Sequence, residues 1–543
     1  MYGTVKTIKT IHENFSDHSS VIVNIETANI PKTGNFYWKL NTSILEIEDI
    51  EDLFKAEWDR IKTSIKKYDN INAWWDRYAK KEVKNFCIKI SKREKQRKYG
   101  LLNYLEFCLN KLYNELNLTG KVNYSEVKQI KGEIDAIKTD MINGVKIRSR
   151  IDEQMQGENI SPYLIKQQSN TKSTKLFSCI KAEANVVENV AEGTELKNKD
   201  AIDLCINKYY EKLYKKEEYN EKMQEWLVDH IEEKLDKNDC EELMKSVTKK
   251  EVFETLKDMN HNKSPGIDGL PVEIYIKFWK IIIEELYQVI VNIINGENLQ
   301  ESQRKAILVL IHKDGEPNVL KNWRPISLIC TDVKIGAKIL ARRLKSKMNE
   351  IVSHNQYCVQ TRVISDCTNK IRDTLYYVNE QKLTGAVINL DWEKAFDRVN
   401  GEIITKTMKK IGFPEYIINW IMNLYKNIQS QCLINGFLTQ PFSVERGIRQ
   451  GCPLSMIVYV LFQELLYKAI EKSAQIIPIE TIMRNKIYGY ADDSTAFMKS
   501  DESILELFKI LKIFELATNS KINIRKTKVI WIWRLGKQNS MAH

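Results

Sequence analysis

The sequence predicts an α+β protein, a mostly helical N-terminal extension followed by a region in which strands alternate with helices. Two patterns carry that expectation. From about residue 44 to 160, apolar residues recur three and four apart among many charges, the period of an amphipathic helix. From residue 263, Gly and Pro mark turns and β-rich runs alternate with helical ones. Of 543 residues, 43% are hydrophobic and 9% aromatic, enough for a sizeable core and too apolar for a wholly disordered chain. With only 21 Gly and 10 Pro, collagen-like and low-complexity architectures are excluded. Ten cysteines occur singly with no CxxC pair, which argues against a zinc ribbon or finger and reads as reduced thiols of an intracellular protein. The start lacks the apolar core of a signal peptide, and no uncharged apolar run reaches the roughly 18 residues of a membrane span. Lys+Arg exceed Asp+Glu by 83 to 72, a net +11 that mildly favours a polyanionic partner.

Taken in order, residues 1–30 are β-prone, with an alternating, β-branched SVIVNIE, and PKTGNF at 31–36 is a loop. Within the helical stretch, segment 80–98 carries nine Lys/Arg and two Glu, a net +7, with Tyr78, Phe86 and Tyr99 interleaved. Two readings stay open there, a solvated helix face or a track for a nucleic-acid backbone. Residues 155–200 are mostly polar and irregular, as a flexible connection would be. Helical patterns resume at about 200. The last 23 residues hold six Lys/Arg and no acid, and RLGKQNSMAH reads as an unstructured tail. No internal repeat is evident.

Three segments carry chemistry. In VINLDWEKAFDRVN, 387–400, an apolar strand ends in Asp391, a common way to aim an acid at a rim, although a helix N-cap explains a lone Asp equally simply. In YGYADDSTAFM, 488–498, two β-prone flanks predict a hairpin with Asp492 and Asp493 at its tip. Solvated turn residues are one explanation; the other is a divalent cation, since Mg²⁺ is a hard ion that takes oxygen ligands. In ERGIRQGCPLSMIVYVLF, 445–462, Gly447 and Gly451 would allow close backbone approach to a ligand, ahead of a helix that reads as plain core.

In this order the segments resemble motifs A, B and C of the reverse transcriptases of non-LTR (long interspersed element type) retrotransposons. LDWEKAFDRV resembles LDxxKAFDxV, RGIRQGCPLS resembles RQGCPLSP, and YADD resembles (F/Y)xDD. KSPGIDGLPVEIY at 263–275, ILVLIHKDGEPNVLKNWRPISL at 307–328 and SKINIRKTK at 520–528 resemble three further family segments, so the likeness covers about residues 250–530. FSDHSSVIVNI at 15–25 looks like the last strand of the apurinic-type endonuclease that precedes the polymerase in these elements, with Asp17 and His18 as its terminal Asp–His pair. The rest of that domain would lie before Met1, so DNA cleavage is not expected. The resemblance implies an endonuclease remnant at 1–30, a basic helical linker or extension at 31–245, right-hand fingers and palm with an antiparallel palm sheet at 246–530, and a tail at 531–543.

The implied activity is an RNA-directed DNA polymerase that uses an RNA template, a DNA primer and deoxynucleoside triphosphates. Asp391 and Asp492 would hold two Mg²⁺ ions, with Mn²⁺ as a substitute, and Asp493 would support the site. Lys313 and Arg324 match the finger cations that meet the triphosphate, and the planar fork of Arg suits phosphate. Phe396 matches the aromatic that blocks a ribose 2′-hydroxyl, Gln450 and Gly451 match the loop touching nucleotide and template, and Lys526 matches a candidate proton donor to pyrophosphate. The extension would hold RNA by shape and charge. No membrane association is expected, and nucleus and cytoplasm are the implied locations.

The chain departs from the family's pattern in three places. HNQYCVQTR at 354–362 keeps Gln356 and Arg362 of QxGFxxGR but lacks both glycines and is one residue short. Met456 stands where a proline is usual. The sequence stops soon after motif D, without the expected thumb, and so reads as truncated at both ends. The alternative is therefore a catalytically inactive relic that at most binds nucleic acid. An intron maturase or RNA-templated RNA polymerase shares the YxDD-type hairpin, but KSPGIDG, RPISL and the SDH triplet argue against it.

Overall fold

The β-prone N-terminal segment forms two strands, β1 (Gly3–His12) and β2 (Ser19–Thr27), paired antiparallel from Gly3↔Thr27 to His12↔Ser19. The computed structural model describes residues 3–12, 19–27, 34, 37–119, 123–149, 176–183, 186, 190–480 and 485–532. Asp17 and His18 lie outside the described residues. The helical expectation beyond residue 44 is met among the described residues up to Ser149, and residues 150–160 lie outside them. Helix Ile50–Lys62 buries Ile50, Phe54, Trp58 and Ile61, the stripe that a 3.6-residue period places on one face. Helix Lys80–Thr119 runs for 40 residues, about 60 Å at 1.5 Å per residue. Helix Tyr124–Ser149 packs back along it, with Lys138 Nζ 3.0 Å from Glu106 Oε1.

The polar stretch before residue 200 differs from expectation where it is described. Phe177 and Ile180 are buried, and the Phe177 ring lies 4.4 Å from that of Trp323. A two-stranded ribbon of β3 (Ile180–Lys181) and β4 (Glu195–Leu196) follows. A few apolar side chains within a polar run suffice to dock this segment, because each buried aromatic removes a large area from water.

The later strands are β5 (Lys305–His312), β6 (Trp323–Leu328), β7 (Gly385–Leu390), β8 (Gln429–Ile434), β9 (Phe437–Leu438), β10 (Phe442–Ser443), β11 (Ile487–Tyr490), β12 (Asp493–Met498) and β13 (Lys528–Ile532). One sheet is mixed, in the order β10-β8-β5-β6, with β9 on β8 and a parallel β5–β8 pair. The other, β11-β12-β7-β13, is antiparallel throughout. Helix Ser455–Lys472 is core along most of its length, as its sequence suggested. Helix Gly401–Ile411 starts at an Asn400 cap that accepts from Glu402 N–H and stops at Gly412, whose φ of +89° ends helical repetition. The whole is an α+β fold.

The main apolar core of the described residues runs from Leu40 through Trp58, Phe278, Leu344 and Phe462 to Ala517, and a second cluster joins Phe177, Tyr210, Leu308 and Trp323. Beside the main core, Lys80 Nζ lies 2.7 Å from Asp332 Oδ2, 3.2 Å from Asp268 Oδ2 and 3.3 Å from Asp76 Oδ1. Trp75 and Gln303 also donate to Asp332. Asp268, Cys330 and Asp332 have the spacing of a metal cluster, but the Lys80 ammonium supplies the positive charge there. Burial opposes that charge, and the carboxylates around it outweigh the effect and keep Lys80 protonated.

Candidate active site

The antiparallel sheet gathers the predicted acids at one end. Asp391 follows β7 directly, and Asp493 opens β12, whose next residue, Ser494, pairs with Leu390. Asp492 sits in the two-residue turn between Tyr490 and Asp493, at the tip of the predicted hairpin. Asn523 holds Asp391 at both ends: its backbone N–H donates to Asp391 O and its Nδ2 donates to Asp391 Oδ2, each at 2.8 Å. Asp391 N–H in turn donates to Thr527 Oγ1 at 3.3 Å. Burial raises the Asp492 carboxyl above its ordinary pKa and Asp493 raises it further, while Arg324 and Lys313 pull it back down. The two cations stand together because His312 pairs with Trp323 and Lys313 N–H donates to Asn322 O, closing the β5–β6 hairpin.

The segment that departs from the family's pattern supports the hairpin. Gln356 is fully buried, and its Oε1 accepts from Cys358 N–H at 3.0 Å and Ala491 N–H at 3.1 Å. Ala491 has φ +56°, a left-handed conformation disfavoured for a residue with a Cβ, so this acceptor helps to hold a strained turn beside the acids. Gly489 exchanges backbone hydrogen bonds with Asn355 and Tyr357. A Cβ there would lie 1.6 Å from the Tyr467 hydroxyl, which itself pairs with Ser494 Oγ. Arg362 Nη1 donates to the carbonyls of Ser353 and Gln356.

The glycine-rich loop lies against the residues that follow Asp391. Ile448 N–H donates to Phe396 O and Gly447 N–H to Val399 O, both at 2.8 Å. Ser327 N–H of β6 donates to Gln450 O at 2.7 Å. The close approaches that Gly447 and Gly451 permit are to the protein's own backbone: added Cβ atoms would meet Asp397 O at 2.6 Å and Ser327 O at 2.7 Å. The half-buried Phe396 ring stacks on Tyr459 at 4.4 Å. Lys526 is exposed and lies 3.1 Å from Asp314, next to Lys313, so the structure brings it to the same hairpin.

Sequence reasoning assigned no role to four residues of this arrangement. Asp397 is buried, accepts from Tyr214 Oη at 2.8 Å and from Gln450 Nε2 at 3.2 Å, and burial pushes its carboxyl up to about 6. Lys394, at φ +51°, donates to Trp323 O, and burial pushes its ammonium down. Asp397, Lys394 and Asn523 lie inside recognised segments, but their partners are remote in sequence. Tyr214 has no local signal at all.

Residues 311–540 match the family model described as reverse transcriptase (RNA-dependent DNA polymerase). They are a reverse transcriptase domain of the non-LTR retrotransposon kind. The chain is 28% identical over 519 residues to the transposon TX1 uncharacterized 149 kDa protein of Xenopus laevis, covering 94% of this chain and 39% of that protein. A retrovirus-related Pol polyprotein from a type-1 retrotransposable element R2 of Popillia japonica is 29% identical over 161 residues, 29% of this chain and 22% of that protein. The Pol polyprotein from the type-2 element R2DM of Drosophila melanogaster is 26% identical over 244 residues, 44% and 22%. The chain thus spans about two fifths or less of the length of these relatives. The acids and cations of this site, from Lys313 to Lys526, fall within the matched residues. Among the described residues, no helix is long and apolar enough to cross a membrane.

Proposed function

We propose that this chain is an active RNA-directed DNA polymerase, with residues 246–530 as fingers and palm and residues 31–245 as a basic extension that holds the template. The observation that carries the reading is the gathering of Asp391, Asp492 and Asp493 at one end of an antiparallel sheet, with Lys313 and Arg324 in electrostatic reach of Asp492. The donor set suits a hard divalent cation: it consists of carboxylate oxygens, and of the two in the Asp391 side chain Asn523 engages Oδ2. Two Mg²⁺ ions, or Mn²⁺ in their place, would supply activation of a primer 3′-hydroxyl and neutralisation of phosphate charge when bound. Asp391 and Asp492 would hold them, and Asp493 would support the site. Lys313 and Arg324 would bind the triphosphate, Phe396 would exclude a ribose 2′-hydroxyl, and Gln450 and Gly451 would line the nucleotide. Lys526 would give a proton to the departing pyrophosphate.

Primer extension on a primed RNA template tests the reading, with Asp492→Asn as control. Extension by the wild type and none by the variant is the expected result. No extension with RNA binding retained would favour the inactive relic. Replacing Phe396 by a small residue should raise ribonucleotide incorporation; an unchanged sugar preference in an active enzyme would refute its role.

A further inference from the structure

The 40-residue helix Lys80–Thr119 has an outer face that the domain's own packing leaves uncovered. Between Lys92 and Lys111, the exposed positions hold Lys92, Arg93, Lys95, Arg97 and Lys111, the aromatics Tyr99, Tyr104 and Phe107, the amides Gln96, Asn103 and Asn110, and Gly100 and Leu101. Both acids of this stretch are engaged by cations, Glu94 by Arg97 at 2.9 Å and Glu106 by Lys138 of the second helix at 3.0 Å, and Arg93 lies 3.5 Å from Asp49. That second helix makes an internal contrast, since its exposed positions mix Lys128, Lys131 and Lys138 with Glu126, Glu133, Asp135 and Asp140. Positions 93, 97, 100, 104, 107 and 111 alternate four and three apart, so Arg93, Arg97, Tyr104, Phe107 and Lys111 form one line along the helix. Tyr104 is 62% exposed and Phe107 67%, far more than a core role would allow. The sequence showed the charge of this region but not these rings: Phe86, which looked like part of the aromatic interleaving, is buried.

We propose that this line is a stacking track for single-stranded nucleic acid, on which Tyr104 and Phe107 take unpaired bases while Arg93, Arg97 and Lys111 meet the flanking phosphates. The proposal rests on the polymerase reading above and specifies where and how unpaired template is held. Charge complementarity selects the occupant: between residues 92 and 111 six Lys/Arg stand against two Glu, and a cationic face with amides and rings attracts a polyanion. The rings further select a strand with unstacked bases, because a duplex keeps its bases stacked inside. An apolar protein helix would want a continuous apolar stripe, and here arginine and lysine interrupt it at both ends.

Fluorescence anisotropy with a labelled, unstructured oligoribonucleotide of about 20 nucleotides tests this, with a blunt RNA duplex beside it. Tyr104→Ala/Phe107→Ala should weaken single-strand binding by about tenfold or more, leave the salt dependence unchanged and hardly affect the duplex. Tyr104→Trp/Phe107→Trp should restore binding, which a merely misfolded helix would not do. Arg97→Ala/Lys111→Ala should weaken binding and flatten its salt dependence. Wild-type affinity in the double alanine variant, or equal losses on strand and duplex, would overturn the proposal and leave the face to a protein partner. Primer extension by the wild type, run in parallel, separates this failure from failure of the polymerase reading.

Discussion

Asp397 pays for its position, and the cost has a pH signature. Burial lifts its folded-state pKa to about 6, above the usual carboxylate range near 3.9. A raised folded pKa means that the folded chain keeps the proton longer than the unfolded chain. The stability this carboxyl contributes is therefore present below about pH 4 and is lost as pH rises through about 6, by at most about 3 kcal/mol. Lys394, Tyr214, Gln450 and Arg398 face it and moderate the loss. Asp397→Asn should remove that decline, so the difference in melting temperature between wild type and variant should change between pH 4 and 6 and be flat above pH 7. An amide accepts less strongly from Gln450 than a carboxylate does, so the same variant should raise the KM for deoxynucleotides several-fold with a smaller change in kcat. Asn523 offers a second test at this scale. Without its amide, Asp391 can rotate away from the other acids, so Asn523→Ala should lower extension about tenfold or more and raise the Mg²⁺ concentration for half-maximal activity. Mn²⁺ binding followed by electron paramagnetic resonance should weaken in parallel; unaltered metal binding would show that Asn523 does not position Asp391.

The hairpin β11–β12 shows how unevenly an element can be read from sequence. Two β-prone flanks around an acidic pair specify the hairpin and its tip, because alternation and turn chemistry are local. What braces the hairpin is not local. Gln356 and Tyr467 come from segments more than 130 and more than 20 residues away, and HNQYCVQTR departs from the family's pattern in lacking both glycines. The carboxamide of Gln356 and the guanidinium of Arg362 do the bracing. The same holds for the site: all nine described candidates were found by motif, whereas Asn523, Asp397 and Tyr214 acquire roles only through partners that folding brings near. Gly489→Ala should destabilise the domain by about 1–3 kcal/mol through overlap with the Tyr467 hydroxyl. Adding Tyr467→Phe should recover part of the loss, a coupling that thermal denaturation of the double-mutant cycle would reveal and that strict additivity would refute.

At the scale of the molecule, the N-terminal extension and the reverse transcriptase domain share one core, and Lys80 is its electrostatic pin. Its ammonium comes from a helix far ahead of the recognised motifs, yet it neutralises Asp268 of KSPGIDG and Asp332, which follows RPISL by four residues. A buried ion cluster adds little to stability when complete, since desolvation offsets attraction, but removing one partner strands the others. Lys80→Met keeps much of the side chain's volume and leaves three buried or nearly buried carboxylates without their cation. It should cost about 3–5 kcal/mol, and Asp268→Asn in the same chain should recover a part by removing the acid that burial already pushes toward its neutral form. Because Leu40 and Ala517 belong to one continuous core, the loss should appear as a downward shift of a single calorimetric transition. Early melting of the extension, with the reverse transcriptase domain unfolding at its wild-type temperature, would mean that the two are thermodynamically separate. Primer extension should fall with the fraction folded although Lys80 touches none of Asp391, Asp492 and Asp493, since the hairpin that carries Asp492 and Asp493 sets Ile487, Ala491, Ala496 and Met498 into that same core.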